Sequence, residues 1–379
     1  WPVADEVAEF LSWCQTAFDQ LELASESTEP FWHPLSFQGF ETALPMVQQS
    51  RTVLRLLSLE SVDAMYRQDA VRVERSMRWM RSYIAASDWQ LWFVGDLVRI
   101  ALRGVYYARL QSLLDSPVGQ RFGQQQLAAM LLPQDDHMKR LEATSQLEKA
   151  SAAWSVRHGL WPPAAIDFAN LPWGRASLAA EIERHWTFSF TGSLSEAAEQ
   201  ALVQEARAAG DSWILSSLLP AYSALFGAFL RDDDQQRLAE VAIGLARYQR
   251  QTGQWPADLE QLEQVGVAPE RSLNNAGQRF GYRIIDGNAW VWGTDWVSLL
   301  PGQPQAEAVR SPSAEPPKWP PVRLEIDPAA QPHGGLPVRP QAGDPEDDGV
   351  GMMGYLPDHA DDQEPEEMPM HLFIVRPGV

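Results

Sequence analysis

Before residue 270 the apolar residues of this chain recur at steps of three and four, and nowhere do they alternate strictly as a half-buried strand requires. That spacing marks one face of a 3.6-residue helix, so most of the chain must be built from packed helices. The clearest stripe is the first: Val3, Val7, Phe10, Cys14, Phe18 and Leu21 predict a single amphipathic N-terminal helix. Cys14 lies on the stripe with no histidine or basic neighbour to stabilise a thiolate, and so reads as a small core residue. After a loop rich in proline and aromatics at residues 29–34, helical patterning resumes from about Gly39 to Asp115. Within it, Trp89–Leu102 is apolar on nearly every side, as expected of a helix at the centre of a bundle. Asp96 and Arg99, three apart in that segment, are placed to pair along the helix as a structural ion pair. Further helices are expected over Gln124–Pro133, which its proline terminates, over about 136–156 and over about 195–209.

The longest uncharged run, Trp213–Leu230, sits at the short end of the range for a membrane span and carries Pro220 and several serines. It reads as a buried central helix. Asp232, Asp233 and Asp234 are expected to open a new helix at the positive end of its dipole, with Leu238, Val241, Ala242, Leu245 and Tyr248 inward. Thr252-Gly253 stops that helix, and Trp255-Pro256 starts a short one with Leu259 and Leu262 inward. Two β-type runs follow, Phe280–Ile285 and Ala289–Trp292, joined by Asp286-Gly287-Asn288, which has the turn chemistry of a hairpin. Residues 301–379 then hold 16 of the 28 prolines and 14 acids against five basic residues, too little apolar surface to offset ordering entropy. Val322–Ile326 and Met370–Val375 read as strands inside that tail, and the second is expected to return to the hairpin sheet. The fold class is therefore mainly α: a helical-bundle body over 1–231, a small module of helix plus β-hairpin over 232–300, and an acidic, proline-rich tail over 301–379 with a C-terminal strand at 370–375.

Charge and motif content narrow the chemistry. A formal net charge of −20, with basic residues scattered singly among acids, repels phosphates and excludes a nucleic-acid partner. Lysine occurs only at 139, 149 and 318, which removes most Schiff-base and P-loop options. A single cysteine excludes an internal disulfide framework and leaves the compartment open. Neither HExxH, CxxC, GxSxG, a Walker A loop nor GxGxxG before a helix is present, so no catalytic, cofactor or metal residue is assigned. Asp135, Asp136 and His137 could contribute to a metal or acid–base cluster, but they read more simply as acids at a helix start beside an exposed histidine. His185 reads as a surface residue. The 16 tryptophans, spread over amphipathic stripes and Trp-Pro corners, read as packing rather than as sugar-stacking platforms. Asp344, Glu346 and Asp348 space carboxylates at alternate positions, as a calcium loop does. The twelfth position is Tyr355 where a bidentate glutamate belongs, so disordered acidic tail is the better reading and no cofactor is expected.

Two resemblances add to this. Leu245–Leu262 followed by Phe280–Asp295 resembles the segment of type II secretion major pseudopilins in which a tyrosine-bearing helix passes through a glycine-aromatic-proline turn into a small sheet. The matching positions are Tyr248, Gly253, Trp255, Pro256, Leu259, Leu262, Tyr282 and Gly293. Pseudopilins carry the segment directly after a hydrophobic assembly helix, whereas here a long helical body precedes it, which argues against filament assembly. The order of LVRIAL, QQLAAML and LEKASAAW before that module resembles a bacterial family of membrane-anchored extracytoplasmic helical proteins. The resemblance implies a tether upstream of Trp1, a periplasmic-side location and protein partners in an envelope or membrane complex; a cytoplasmic location stays open. The expectation is a non-enzymatic scaffold or binding protein, with an envelope hydrolase acting on polysaccharide as the alternative.

Overall fold

A computed structural model describes residues 3–26, 46–87, 91–160, 172–186, 190, 192–211, 216, 222–293 and 372–375. The chain divides into two units, one made of residues 1–306 with 370–379 and the other of residues 307–369. The described residues all belong to the first, which is mainly helical, as the periodicity requires. The loop at 29–34, the strand at 322–326 and the motif at Asp344, Glu346 and Asp348 lie outside the described residues.

The N-terminal stripe forms two helices rather than one, α1 (Ala4–Trp13) and α2 (Gln15–Glu26), parted at Cys14. The break rotates the stripe: Leu11 and Phe18 are buried, Val7, Cys14 and Leu21 are half-buried, and Phe10 faces outward. α3 (Met46–Tyr66) and α4 (Ala70–Ala86) pack as a hairpin in which Asp69 caps α4 by accepting from Arg72 N at 3.1 Å. α5 (Phe93–Leu114) follows, and the short α6 (Gln124–Ala129) ends before Pro133. α7 (His137–His158) is capped by Asp136 at one end and by Gly159, in the left-handed region at φ 71°, at the other. α7 pairs with α8 (Pro172–His185), and α9 (Leu194–Asp211) packs on the last helix, α10 (Tyr222–Thr252).

α10 has 31 residues, about 46 Å at 1.5 Å per residue, and runs without interruption through Asp232, where a helix start was expected. The acids do not open the helix because the apolar segment before them is already helical; side chains of neighbouring elements and, for Asp233, Arg237 of the same helix satisfy them, not the dipole. The position expected to part body from module thus lies inside a continuous helix. Of the apolar run, Ser216 is exposed and Tyr222–Leu230 is largely buried, as expected of a central helix.

Gly253, at φ 74°, ends α10 where the sequence predicts a stop. Asp258 then caps a 3-10 helix, Leu259–Val265, whose Leu259 and Leu262 point inward. β1 (Gly281–Ile285) and β2 (Asn288–Trp292) form the expected hairpin, its turn held by Asp286 and Gly287 with φ of 50° and 78°. β3 (Leu372–Val375) returns antiparallel to β2, with Leu372 opposite Trp292 and Val375 opposite Ala289, so the sheet order is β1-β2-β3.

Two apolar clusters form the core. One joins α3, α4 and parts of α5 and α10 to the sheet, and the other joins α7, α8, α9 and the first turns of α5 and α10. Along α10 the second cluster ends at Leu230 and the first begins at Leu238; a layer of charged side chains occupies the turns between them.

Candidate functional site

The densest group of titratable side chains in the described structure is that layer. α5 contributes Asp96, Arg99 and Arg103, all on its buried face. The segment entering α7 contributes Asp135, α7 itself His137, Arg140 and Thr144, and α10 contributes Asp232, Asp233 and Gln236. A charge inside an otherwise apolar helix must find a partner, because an unpaired buried ion costs several kcal/mol, roughly, even after relaxation. Each finds one here. Arg103 Nε lies 2.8 Å from Asp232 Oδ1 and 2.7 Å from Oδ2, and its Nη2 donates to Gln236 Oε1 at 2.6 Å and to the Tyr107 hydroxyl at 2.9 Å. Asp135 accepts from Arg99 and lies 3.1 Å from Arg103 Nη1. Asp96 accepts from Arg140 and, at 2.7 Å, from the Thr144 hydroxyl, and it lies 4.0 Å from Arg99 Nε, the i,i+3 pair that the sequence predicts.

The carboxylates of Asp96, Asp135 and Asp232 therefore face the guanidinium groups of Arg99, Arg103 and Arg140, Asp233 pairs with Arg237 along α10 at 2.7 Å, and the layer is balanced without any further ion. Burial raises the Asp96 carboxyl above its usual range despite Arg140, Thr144 and Arg99. Burial also opposes ionisation of Asp135, but Arg103 and Arg99 outweigh it and hold that carboxyl low. For Arg103 the penalty of burial is more than offset by Asp232, Tyr107 and Asp135 together, and its affinity for the proton rises.

His137 departs from expectation. It is not an exposed residue at a helix start: only 6% of its surface is accessible, its ring lies 5.1 Å from that of Phe229, and Nε2 is 3.7 Å from Asp232 Oδ2. Neither ring nitrogen has a hydrogen-bond partner. Burial lowers its proton affinity, against the opposing pull of Asp232, Asp135 and Asp233. Asp136, read as an acid at a helix start, caps α7 through Lys139 N at 3.0 Å and points away from His137, since adjacent side chains on a helix point apart. His185 is exposed at the end of α8, as expected.

Asp135, His137 and Asp232 each offer one ligand atom within 4.8 Å of the others. This is the best metal-like geometry among the described residues. Arg99 and Arg103 already hold both carboxylates, so a divalent cation would add uncompensated charge to a balanced, buried layer. The arrangement is an ion-pair layer that ties α5, α7 and α10 together. Sequence reasoning singled out Asp96, Arg99, Asp135 and His137 but missed Arg103, Arg140, Thr144, Asp232, Asp233 and Gln236 as members. The signal available was Arg99 and Arg103 at i,i+4 on an apolar helix, two cations that demand a buried acid from elsewhere in the chain.

A second feature is an open groove of about 610 Å³ along α9, lined by Gly192, Glu196, Glu199, Val203 and Arg207. Glu196 is committed to its own helix: Oε2 accepts from Ser193 N at 2.6 Å, while Ser193 Oγ accepts from Glu196 N at 3.3 Å, a reciprocal cap. Glu196 and Glu199 sit on one helix and do not face each other across the groove as the acid pair of a glycosidase must.

Comparison with protein-family models, with curated proteins and with solved structures finds no match to this chain. Among the described residues no helix is long and apolar enough to cross a membrane. What the fold and the site define is a mainly helical protein with a small helix-and-sheet module, stapled through its middle by a charge-balanced layer.

Proposed function

We propose that this protein is a non-enzymatic scaffold or binding protein, a subunit of an extracytoplasmic, membrane-associated assembly. One observation carries the non-enzymatic part: of the side chains with most chemical potential, Asp135 and Asp232 are held by Arg99 and Arg103 in joining helices, and His137 is buried beside Asp232. The location and the envelope partners rest on the sequence resemblances. The pseudopilin-like reading of the module is consistent with how its matching residues are used. Trp255 Nε1 donates to Gly287 O at 2.7 Å, the Tyr282 hydroxyl to Pro256 O at 2.9 Å and the Tyr248 hydroxyl to Gln261 Oε1 at 3.2 Å. The turn, the hairpin and the long helix are thereby bonded into one platform.

The test is affinity purification from native membranes with identification of the proteins that co-purify. A stable set of envelope proteins at constant stoichiometry is the expected result. Recovery of the protein alone from the cytosolic fraction would overturn the proposal. No specific observation favours a polysaccharide hydrolase, and release of reducing ends from envelope polysaccharide by the purified protein would reinstate it.

A further inference from the structure

We propose that the cleft bounded by β2, α5 and α10 is a binding site for an extended apolar peptide, occupied by the chain's own Leu372–Val375 as a tethered ligand and open to the same segment supplied in trans. The contrast between the two strand connections motivates this. β1 and β2 are joined by the two-residue turn Asp286-Gly287, which fixes their register. β3 reaches β2 only through residues 293–371, most of which belong to the separate unit 307–369. A connection of that length imposes no register, so β3 must be aligned by what it touches.

What it touches has the two parts of a peptide-recognition site. Main-chain pairing along β2 sets Leu372, Phe373, Ile374 and Val375 opposite Trp292, Val291, Trp290 and Ala289. Beneath the strand lie α5 and α10, and Val375 is 1% exposed in the apolar cluster that also holds Ala289, Val291 and Phe280. Ladder bonds supply affinity irrespective of sequence, and the pocket beneath Val375 supplies selectivity for a branched aliphatic side chain at that step. The segment LFIV is uncharged, so it enters the cleft without the ion-desolvation penalty that most of this acidic chain would carry. The site is distinct from the ion-pair layer and does not depend on the envelope reading.

The experiment uses the full chain with a specific protease site placed within residues 307–369. After folding, the chain is cut and passed over a sizing column, with and without excess synthetic peptide of residues 370–379. The expected result is that the C-terminal piece stays with the body after cutting and is displaced by excess peptide, a fluorescent copy of which then co-elutes with the body. A peptide carrying Val375→Asp should need at least a tenfold higher concentration. Three results would each overturn the proposal: loss of the piece on cutting alone, retention against any excess of peptide, or equal displacement by the Val375→Asp peptide.

Discussion

Arg103 on α5 and Asp232 on α10, 129 positions apart in sequence, form a buried ion pair at 2.8 Å between the two apolar clusters of the core. Both partners have further contacts: Gln236 and Tyr107 take the second arm of the guanidinium, and His137 lies against the carboxylate. The pair decides how α5 and α10 are set against each other, because a shift of either helix by one residue leaves an ion without its partner.

Removing one member should therefore cost much more than removing both. Arg103→Ala leaves the Asp232 carboxylate buried beside His137 and should destabilise the protein by about 3–5 kcal/mol. Replacing Arg103 by Met together with Asp232 by Leu should lose much less, since no uncompensated charge remains. Urea unfolding of the two variants and the parent gives the comparison, and equal losses would show that packing rather than charge holds this layer.

Acidification should weaken the fold through His137. Its folded proton affinity lies below the ordinary value of 6.5, so the unfolded chain binds the proton more readily and stability falls as pH drops below about 6.5. Asp234 acts in the opposite sense. Burial raises its carboxyl to about 6, while Asn275 holds it through N at 2.8 Å and Nδ2 at 3.0 Å. The folded state therefore keeps that proton between pH 3.8 and about 6, and stability falls as pH rises across that window. The urea midpoint of His137→Gln should lose the acid-side decline, and that of Asp234→Asn should lose the opposing trend, each measured from pH 4 to 8.

The readable parts of this fold are the local ones. Most of the helix periodicity, Gly253 after α10, the Asp286-Gly287 turn and the apolar Leu372–Val375 run each act over a few residues and appear where the sequence puts them, although the N-terminal stripe is split in two. Two errors had one cause, context that outweighed a local signal. Asp232, Asp233 and Asp234 resemble a helix start, yet they fall mid-helix because Arg103 and Asn275 arrive from other elements to satisfy Asp232 and Asp234, while Arg237, one turn on in the same helix, pairs with Asp233. His137 follows two acids and reads as exposed, yet the crossing of α5 and α10 encloses it. Long-range pairing at a separation of 129 residues has no signature in a single sequence beyond the presence of unexplained charges in apolar helices.

The module should respond to single bonds on a smaller scale. Tyr282→Phe removes only the hydroxyl that donates to Pro256 O at 2.9 Å and keeps the ring in place. Burial and the neighbouring Tyr248 and Asp258 push that hydroxyl up to about 12, so it stays a donor throughout the ordinary range. The expected loss is about 1 kcal/mol, constant between pH 6 and 9, read as a lower melting temperature.

Shortening the excursion between β2 and β3 should stabilise the protein. Trp292 and Leu372 are direct partners in the ladder, so a four-residue turn can replace residues 293–371 without moving either strand. Each halving of a loop recovers about 0.6 kcal/mol of closure entropy, and the replacement amounts to roughly four halvings, or about 2.5 kcal/mol. The melting temperature of the shortened chain should rise and its helical circular dichroism per mole of protein should be unchanged. A fall in melting temperature would mean that residues 293–371 make contacts on which the sheet depends, and that Leu372–Val375 is not aligned by β2, α5 and α10 alone.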